Sequence, residues 1–444
     1  MNKIAGEQAE QENTILSVKD YEKSRLMAIL EGVSARIIFG FTTGAFLTGF
    51  LKYIGADDKL CGQIAAIPVL AGIIQFVSPL LLEKIHRRKP LITWFNALHR
   101  LLLVLLVFVP LLPVSMNSRL LIVAGLYFVS YLMVNMVAPA TTTMIISLVP
   151  QGMRGRYFGN REIFMIFISS ILNIVMGRVL DLFEMQNKVY EGYIVMYGVA
   201  LLAMLLNLFS YLKMKEPPHV ASQWDISFKE LFTVPLKEKS FRKIVILFFI
   251  WGISTNFSAP FLSVYMVSQL HLSYTFITLC GLVNSLVYVL TVRLWGKTAD
   301  KKSFTYIAMI SLILLGFSRL GWFLVAKESY LMHSGLILLH VIGGLSWAGV
   351  NISLLNIPYE NTPDEARTVY LGFNAALSGL VGFMSSMFAS WMVGKMENYR
   401  GLLLGMEITQ FQMIFLISGM LMVVAGLYIR FAILKTRTSE KQNS

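Results

Sequence analysis

The stretch P-L-L-L-E-K-I-H-R-R-K-P, from Pro79 to Pro90, decides the fold. Four cationic side chains, Lys84, Arg87, Arg88 and Lys89, sit with one carboxylate, Glu83, in a short turn between two long apolar runs. Such a turn belongs at a membrane surface, where basic side chains stay hydrated while the flanking segments are taken up by lipid. A weaker echo, L-W-G-K-T-A-D-K-K-S-F from Leu294 to Phe304, places Asp300, Lys301 and Lys302 between two further apolar runs. The chain therefore reads as duplicated.

The bulk composition agrees. Of 444 residues, 56% are hydrophobic and 14% charged, and the mean hydropathy is +0.65, values that exclude a water-soluble globular protein of this length. A hydrocarbon core about 30 Å thick takes about 20 apolar residues of helix. Twelve such runs are read, near 27–53, 60–82, 91–114, 120–149, 158–183 and 193–212, then 244–269, 275–295, 305–326, 334–357, 369–393 and 411–434. The expected fold is an all-α integral membrane protein with twelve transmembrane helices in two pseudo-symmetric six-helix bundles, 27–212 and 244–434. A charged linker, 213–243, joins them, and tails of 1–26 and 435–444 flank them. Within the linker, 220–232 reads as a short amphipathic helix.

The net charge of +13 reports topology rather than a nucleic-acid partner. Sorted by loop, 27 Lys and Arg fall on the side of the two tails, eight on the other side, and Arg36, Arg100 and Arg319 within spans. By the positive-inside rule both termini are cytoplasmic and the protein is multi-pass in the plasma membrane. Met1 to Arg25 lacks the apolar core of a cleaved leader, leaving insertion to the first span. Cys61 and Cys280 lie in different halves and are expected to be small packing residues.

The halves match at equivalent places beyond the turns. Pro150, Arg154, Tyr157 and Gly159 repeat at one offset as Pro363, Arg367, Tyr370 and Gly372. His99-Arg100-Leu101 is echoed by Ser318-Arg319-Leu320, and Gly177-Arg178 by Gly394-Lys395. On these residues the chain resembles the major facilitator superfamily over essentially its whole length apart from the tails. The two turns look like that family's G-x-L-A-D-R-x-G-R-R/K signature. The second copy keeps Gly296, Ala299 and Asp300, whereas the first has Pro79 and His86 in place of glycines and Glu83 in place of aspartate.

The resemblance implies two bundles related by a pseudo-two-fold axis along the membrane normal, rocking around a central site. Spans one, four, seven and ten would line the cavity, two, five, eight and eleven would form the interface, and the rest would support from outside. It implies a secondary transporter moving a small organic solute by alternating access. Span five reads I-L-N-I-V-M-G-R-V-L-D, without the G-x-x-x-G-P-x-x-G-G pattern of drug antiporters, so import of a sugar or similar nutrient is favoured. Export of drugs or metabolites, and a transporter-like receptor without transport, are the alternatives. No H-E-x-x-H, G-x-S-x-G or phosphate-binding glycine loop suggests an enzyme, and neither a metal site nor a cofactor is expected. A monomer in the bilayer is expected.

An ionisable group at a helix centre costs about 2.5 to 3.5 kcal/mol on insertion scales, so each within a span needs a reason. Arg36, Asn135, Asn256, His340, Trp347 and Asn351 are the candidate substrate-binding residues, Arg36 with a structural ion pair as its alternative. Amides with aromatic faces suit a polyhydroxylated or aromatic solute. Glu31 is the candidate proton carrier; the alternative pairs it with Arg100, Arg154 or Arg161. It is not the local partner of Arg36, because five residues rotate a helix by about 140°. Arg100 and Arg319 are expected in structural ion pairs. From the resembled fold, Glu83 should meet Arg367, and Asp300 should meet Arg154, closing a cytoplasmic gate in which Arg87 also takes part.

Overall fold

Five helices start where a side chain offers an oxygen to the unpaired N–H groups of the first turn. Ser17 and Asp20 form a capping box on α1 (Val18–Phe41), and the Asp57 carboxylate accepts from the Leu60 N–H at 2.7 Å to open α3 (Asp58–Ala65). Ser115, Ser273 and Ser303 do the same for α6 (Met116–Ser147), α10 (Tyr274–Lys301) and α11 (Phe304–Phe323). Between these lie α2 (Gly44–Ile54), α4 (Ile67–Ala71), α5 (Lys89–Leu105), α7 (Arg154–Met185), α8 (Val189–Lys213) and α9 (Lys239–Val264). The chain closes with α12 (Met332–Glu360), α13 (Arg367–Lys395), a hairpin of β1 (Gly401–Leu403) and β2 (Met406–Ile408), and α14 (Gln410–Tyr428). This computed structural model describes residues 17–76, 78, 82, 85, 87–217, 233, 237, 239–327, 332–360, 367–403 and 406–434. The amphipathic helix read at 220–232 lies outside the described residues.

Among the described residues ten helices are long and apolar enough to cross a membrane, and the bent pair α1 and α2 makes an eleventh. The second span is present as α3, α4 and a 3-10 turn, Gly72–Phe76, with Pro68 at the start of α4. The first span differs from the continuous helix read from hydropathy: it turns by 42° between Phe41 and Gly44. Gly44 takes a left-handed φ of +59°, and the Thr42 and Thr43 hydroxyls each donate at 2.7 Å to carbonyls one turn back, Ile38 and Phe39. The hydroxyls help cover polar backbone that an interrupted helix would bare to lipid.

Within the first half α1 packs on α7 and α8, and α5 on α6; in the second, α9 packs on α13 and α14, and α10 and α11 on α12. Pro260 removes the donor that the Asn256 carbonyl would receive within α9, and the Ser386 hydroxyl of α13 supplies it at 2.8 Å. The halves meet through α7 against α10 and through the second span against α13, the interface the resemblance implies.

Where the halves touch is uneven. At the end remote from Val18 and Leu434, here the far end, one apolar core runs through both bundles and holds Phe46, Phe50 and Leu180 with Phe261, Tyr265, Tyr274 and Phe411. At the tail end the described residues form two cores, one of Met27, Ile92, Met144 and Leu148, the other of Leu247, Leu312, Ile357 and Met422. The inter-bundle hydrogen bonds among the described residues lie at the far end too. The Asp181 carboxylate of α7 accepts from the Tyr274 and Thr275 N–H groups at 2.7 and 2.9 Å and from the Thr275 hydroxyl at 2.5 Å. Thr48 donates to Ser263 at 3.2 Å, and Gln269 to Asp58 at 3.3 Å. Asp181 thus caps the positive end of α10 from the other bundle.

Candidate functional site

A cavity of about 240 Å³ lies between α9, α10, α11 and α12, with Asn284, Ser318, Arg319, Trp322, His340 and Trp347 on its wall. Its lining comes entirely from the second half. Gly343 and Gly344 bring α12 close to α10: a Cβ at Gly344 would stand 2.4 Å from the Asn284 carbonyl oxygen. Most neutral donors on the wall are satisfied by α12 itself. Asn284 Nδ2 donates to the His340 carbonyl at 3.0 Å, and the Ser318 hydroxyl to the Leu339 carbonyl at 3.2 Å. His340 Nδ1 lies 2.8 Å from the Leu336 carbonyl, which only accepts, so Nδ1 carries the hydrogen. The Trp322 ring meets His340 edge-on at 5.6 Å, and Trp347 meets Trp251 in the same way at 5.6 Å.

Arg319 is the exception. It is 7% exposed, Nε has no hydrogen-bond partner, and no salt bridge reaches its guanidinium among the described residues. The structural ion pair expected for it from the echo of Arg100 is therefore absent there. Arg100 differs because a carboxylate faces it: Arg100 Nη2 lies 3.4 Å from Glu31 Oε1, and Arg161 Nη2 lies 2.9 Å from Oε2. The Tyr211 hydroxyl donates to Oε1 at 3.0 Å, closing a buried cluster inside the first bundle. Span seven, 244–269, contains no Asp or Glu to play the same part for Arg319, a difference readable in the sequence.

Of the six candidate substrate residues, the structure brings His340 and Trp347 to the cavity wall. Arg36 instead pairs with Glu162 of α7 at 2.7 Å, a partner sequence reasoning missed because the two lie 126 residues apart. Asn135 is buried, donating to the Tyr131 carbonyl at 2.9 Å and accepting from Gln75. Asn256 donates to Gly252 at 2.9 Å and abuts Gly382 of α13, while Asn351 is exposed on α12. Sequence reasoning also missed Asn284 and Trp322, which sit on helices assigned to the interface and the outer support.

Of the two expected gate contacts, only the one between Asp300 and Arg154 falls within the described residues, and it is not formed there. Arg154 Nε donates to the Val149 carbonyl at 3.0 Å, and no salt bridge joins Arg154 to Asp300 among the described residues. Asp300 is exposed, as is Arg87. Glu83 and the side chain of Arg367 lie outside the described residues.

The sequence profile of the Major Facilitator Superfamily matches residues 32–386. The chain belongs to the major facilitator superfamily. Among solved structures, a point-mutant form of the nucleoside transporter NupG superposes with a TM-score of 0.70 at 13% identity, covering 92% of this chain and 99% of that one. A D-xylose-proton symporter gives 0.65 at 14% identity, covering 92% and 96%. The inward open conformation of the xylose transporter XylE from E. coli gives 0.63 at 14%, covering 93% and 95%. Comparison with curated proteins finds no match. As a member of the superfamily this chain is a multi-pass membrane transporter and not an enzyme.

Proposed function

We propose that this transporter imports a small nutrient solute by alternating access, that its tail end faces the cytoplasm, and that the conformation described is open to that side. The split core carries the reading: among the described residues, one apolar core spans both bundles at the far end, and two separate cores stand at the tail end. That arrangement supports aqueous entry between the tail ends. The excess of Lys and Arg on the tail side supports the cytoplasmic assignment. The cavity of the second bundle, with aromatic walls and a few convergent polar groups, is the solute site this reading favours. The printed solutes of the solved relatives, nucleosides and D-xylose, are compatible with such a wall.

Coupling to protons through Glu31 belongs to the same proposal. Its carboxylate has partners on α5, α7 and α8, so a proton gained or lost there would re-balance three helices at once. Uptake of labelled sugars and nucleosides into proteoliposomes, with and without an imposed pH gradient, tests both parts. Accumulation that needs the gradient and is abolished in Glu31→Gln supports coupling at this residue. Gradient-driven accumulation that survives the substitution removes Glu31 from the coupling path and leaves import standing.

A further inference from the structure

We infer that the solute of this transporter is a small organic acid whose carboxylate seats on Arg319. The inference rests on the cavity being the solute site. Arg319 stays charged at any physiological pH, and a charge taken out of water without a partner is costly. Here the guanidinium is 7% exposed, its Nε has no acceptor, and no carboxylate pairs with it among the described residues. Three neighbouring donors do not share this want: Asn284, Ser318 and His340 already donate to carbonyls of α12. The hydrogen-bonding capacity left on the wall is therefore dominated by a forked cation.

That fork matches a carboxylate, which can accept two parallel N–H bonds. A single cation balances a monoanion, whereas a phosphate dianion would keep one charge unmatched in a low-dielectric wall. The volume, about 240 Å³, equals about eight waters of liquid, enough for a solute of roughly ten non-hydrogen atoms. Trp322 and Trp347 supply flat apolar faces for the remainder of such a molecule. A plain sugar would leave Arg319 with neutral acceptors only, so the solute class narrows from sugar-like to acidic.

Binding to the purified full-length protein, read by tryptophan fluorescence and by the shift in unfolding temperature, tests this with two matched pairs of probes: D-gluconate against D-glucose, and benzoate against benzyl alcohol. A carboxylate is expected to bind at least tenfold more tightly than its neutral counterpart. Arg319→Gln should weaken it by about thirtyfold, the loss of a charge-assisted hydrogen bond, with Arg319→Lys falling between. Gly281→Leu gives an independent variant should Arg319→Gln not fold. Gly281 lines the cavity and a Cβ there meets nothing within 4 Å, so a leucine at this position should intrude on the cavity and abolish carboxylate binding. Equal binding of acid and neutral probe, no binding of either acid at millimolar concentration, or an unchanged affinity in Arg319→Gln overturns the inference. Arg319-dependent binding without flux in proteoliposomes would count against the cavity as the transport site and leave the anion site standing. Flux of a neutral solute indifferent to Arg319→Gln would do the reverse.

Discussion

Two ion pairs of the first bundle look alike on paper and differ in what they contribute. Glu31 is 5% exposed and bound on both oxygens by arginines, whereas Arg36 and Glu162 have side chains 35% and 42% exposed. Removing one member of a buried set leaves uncompensated charge, so Glu31→Ala should cost about 3–5 kcal/mol of stability. Glu162→Ala should cost less than about 1 kcal/mol, as exposed pairs do. Thermal unfolding of the two variants in one detergent checks the contrast; similar losses would show that the first cluster has solvent the geometry does not allow. At this scale the sequence offered Glu31 three arginines, of which Arg100 and Arg161 reach it and Arg154 turns to the Val149 carbonyl. The solitude of Arg319 was harder to read. A duplicated Arg motif invites the assumption of a duplicated partner, and the partner sits on a helix outside the motif.

At the scale of elements, hydropathy finds spans because lipid asks only for length and apolarity. It cannot see a bend whose carbonyls are covered by threonine, since Thr42, Thr43 and Gly44 are as acceptable to an apolar window as the helix around them. The local signal was nonetheless there, two hydroxyls followed by a glycine. A Cβ at Gly44 meets nothing within 4 Å, while φ is +59°, so Gly44→Ala should destabilise through the backbone alone, by about 1–2 kcal/mol. A loss well beyond that, measured by thermal unfolding, would mean that the bend carries packing strain as well. The hairpin at Gly401–Leu403 and Met406–Ile408 was not legible, because three-residue strands are shorter than the window in which alternation can be counted. The second span carries Pro68 and Gly72, residues that invite a bend, and it is there that the helix breaks into α3, α4 and a 3-10 turn.

For the whole molecule, the twofold repeat and the paired interfaces were written in the sequence, while the difference between the two ends was not. Sequence symmetry describes both ends of a rocking transporter equally and says nothing of which one is closed. Asp181 is a specific element of the closure, since its carboxylate in one bundle caps a helix of the other. Asp181→Asn keeps the shape and loses charge-assisted bonds worth about 1.5–3 kcal/mol. The population open at the far end should therefore rise by tenfold or more, read as a longer distance between spin labels on the far ends of α7 and α10. An unchanged distance distribution would relieve Asp181 of any part in holding the ends together.

The shared core has a thermal consequence. Parting the far ends would wet aromatic side chains such as Phe46, Phe261 and Tyr274 that now lie in one apolar cluster, and hydration of apolar surface raises heat capacity. The balance between the two access states of this transporter should then bend with temperature instead of following a straight van't Hoff line. Cooling weakens the attraction between apolar faces, so the cold protein should part its far ends more readily than the warm one.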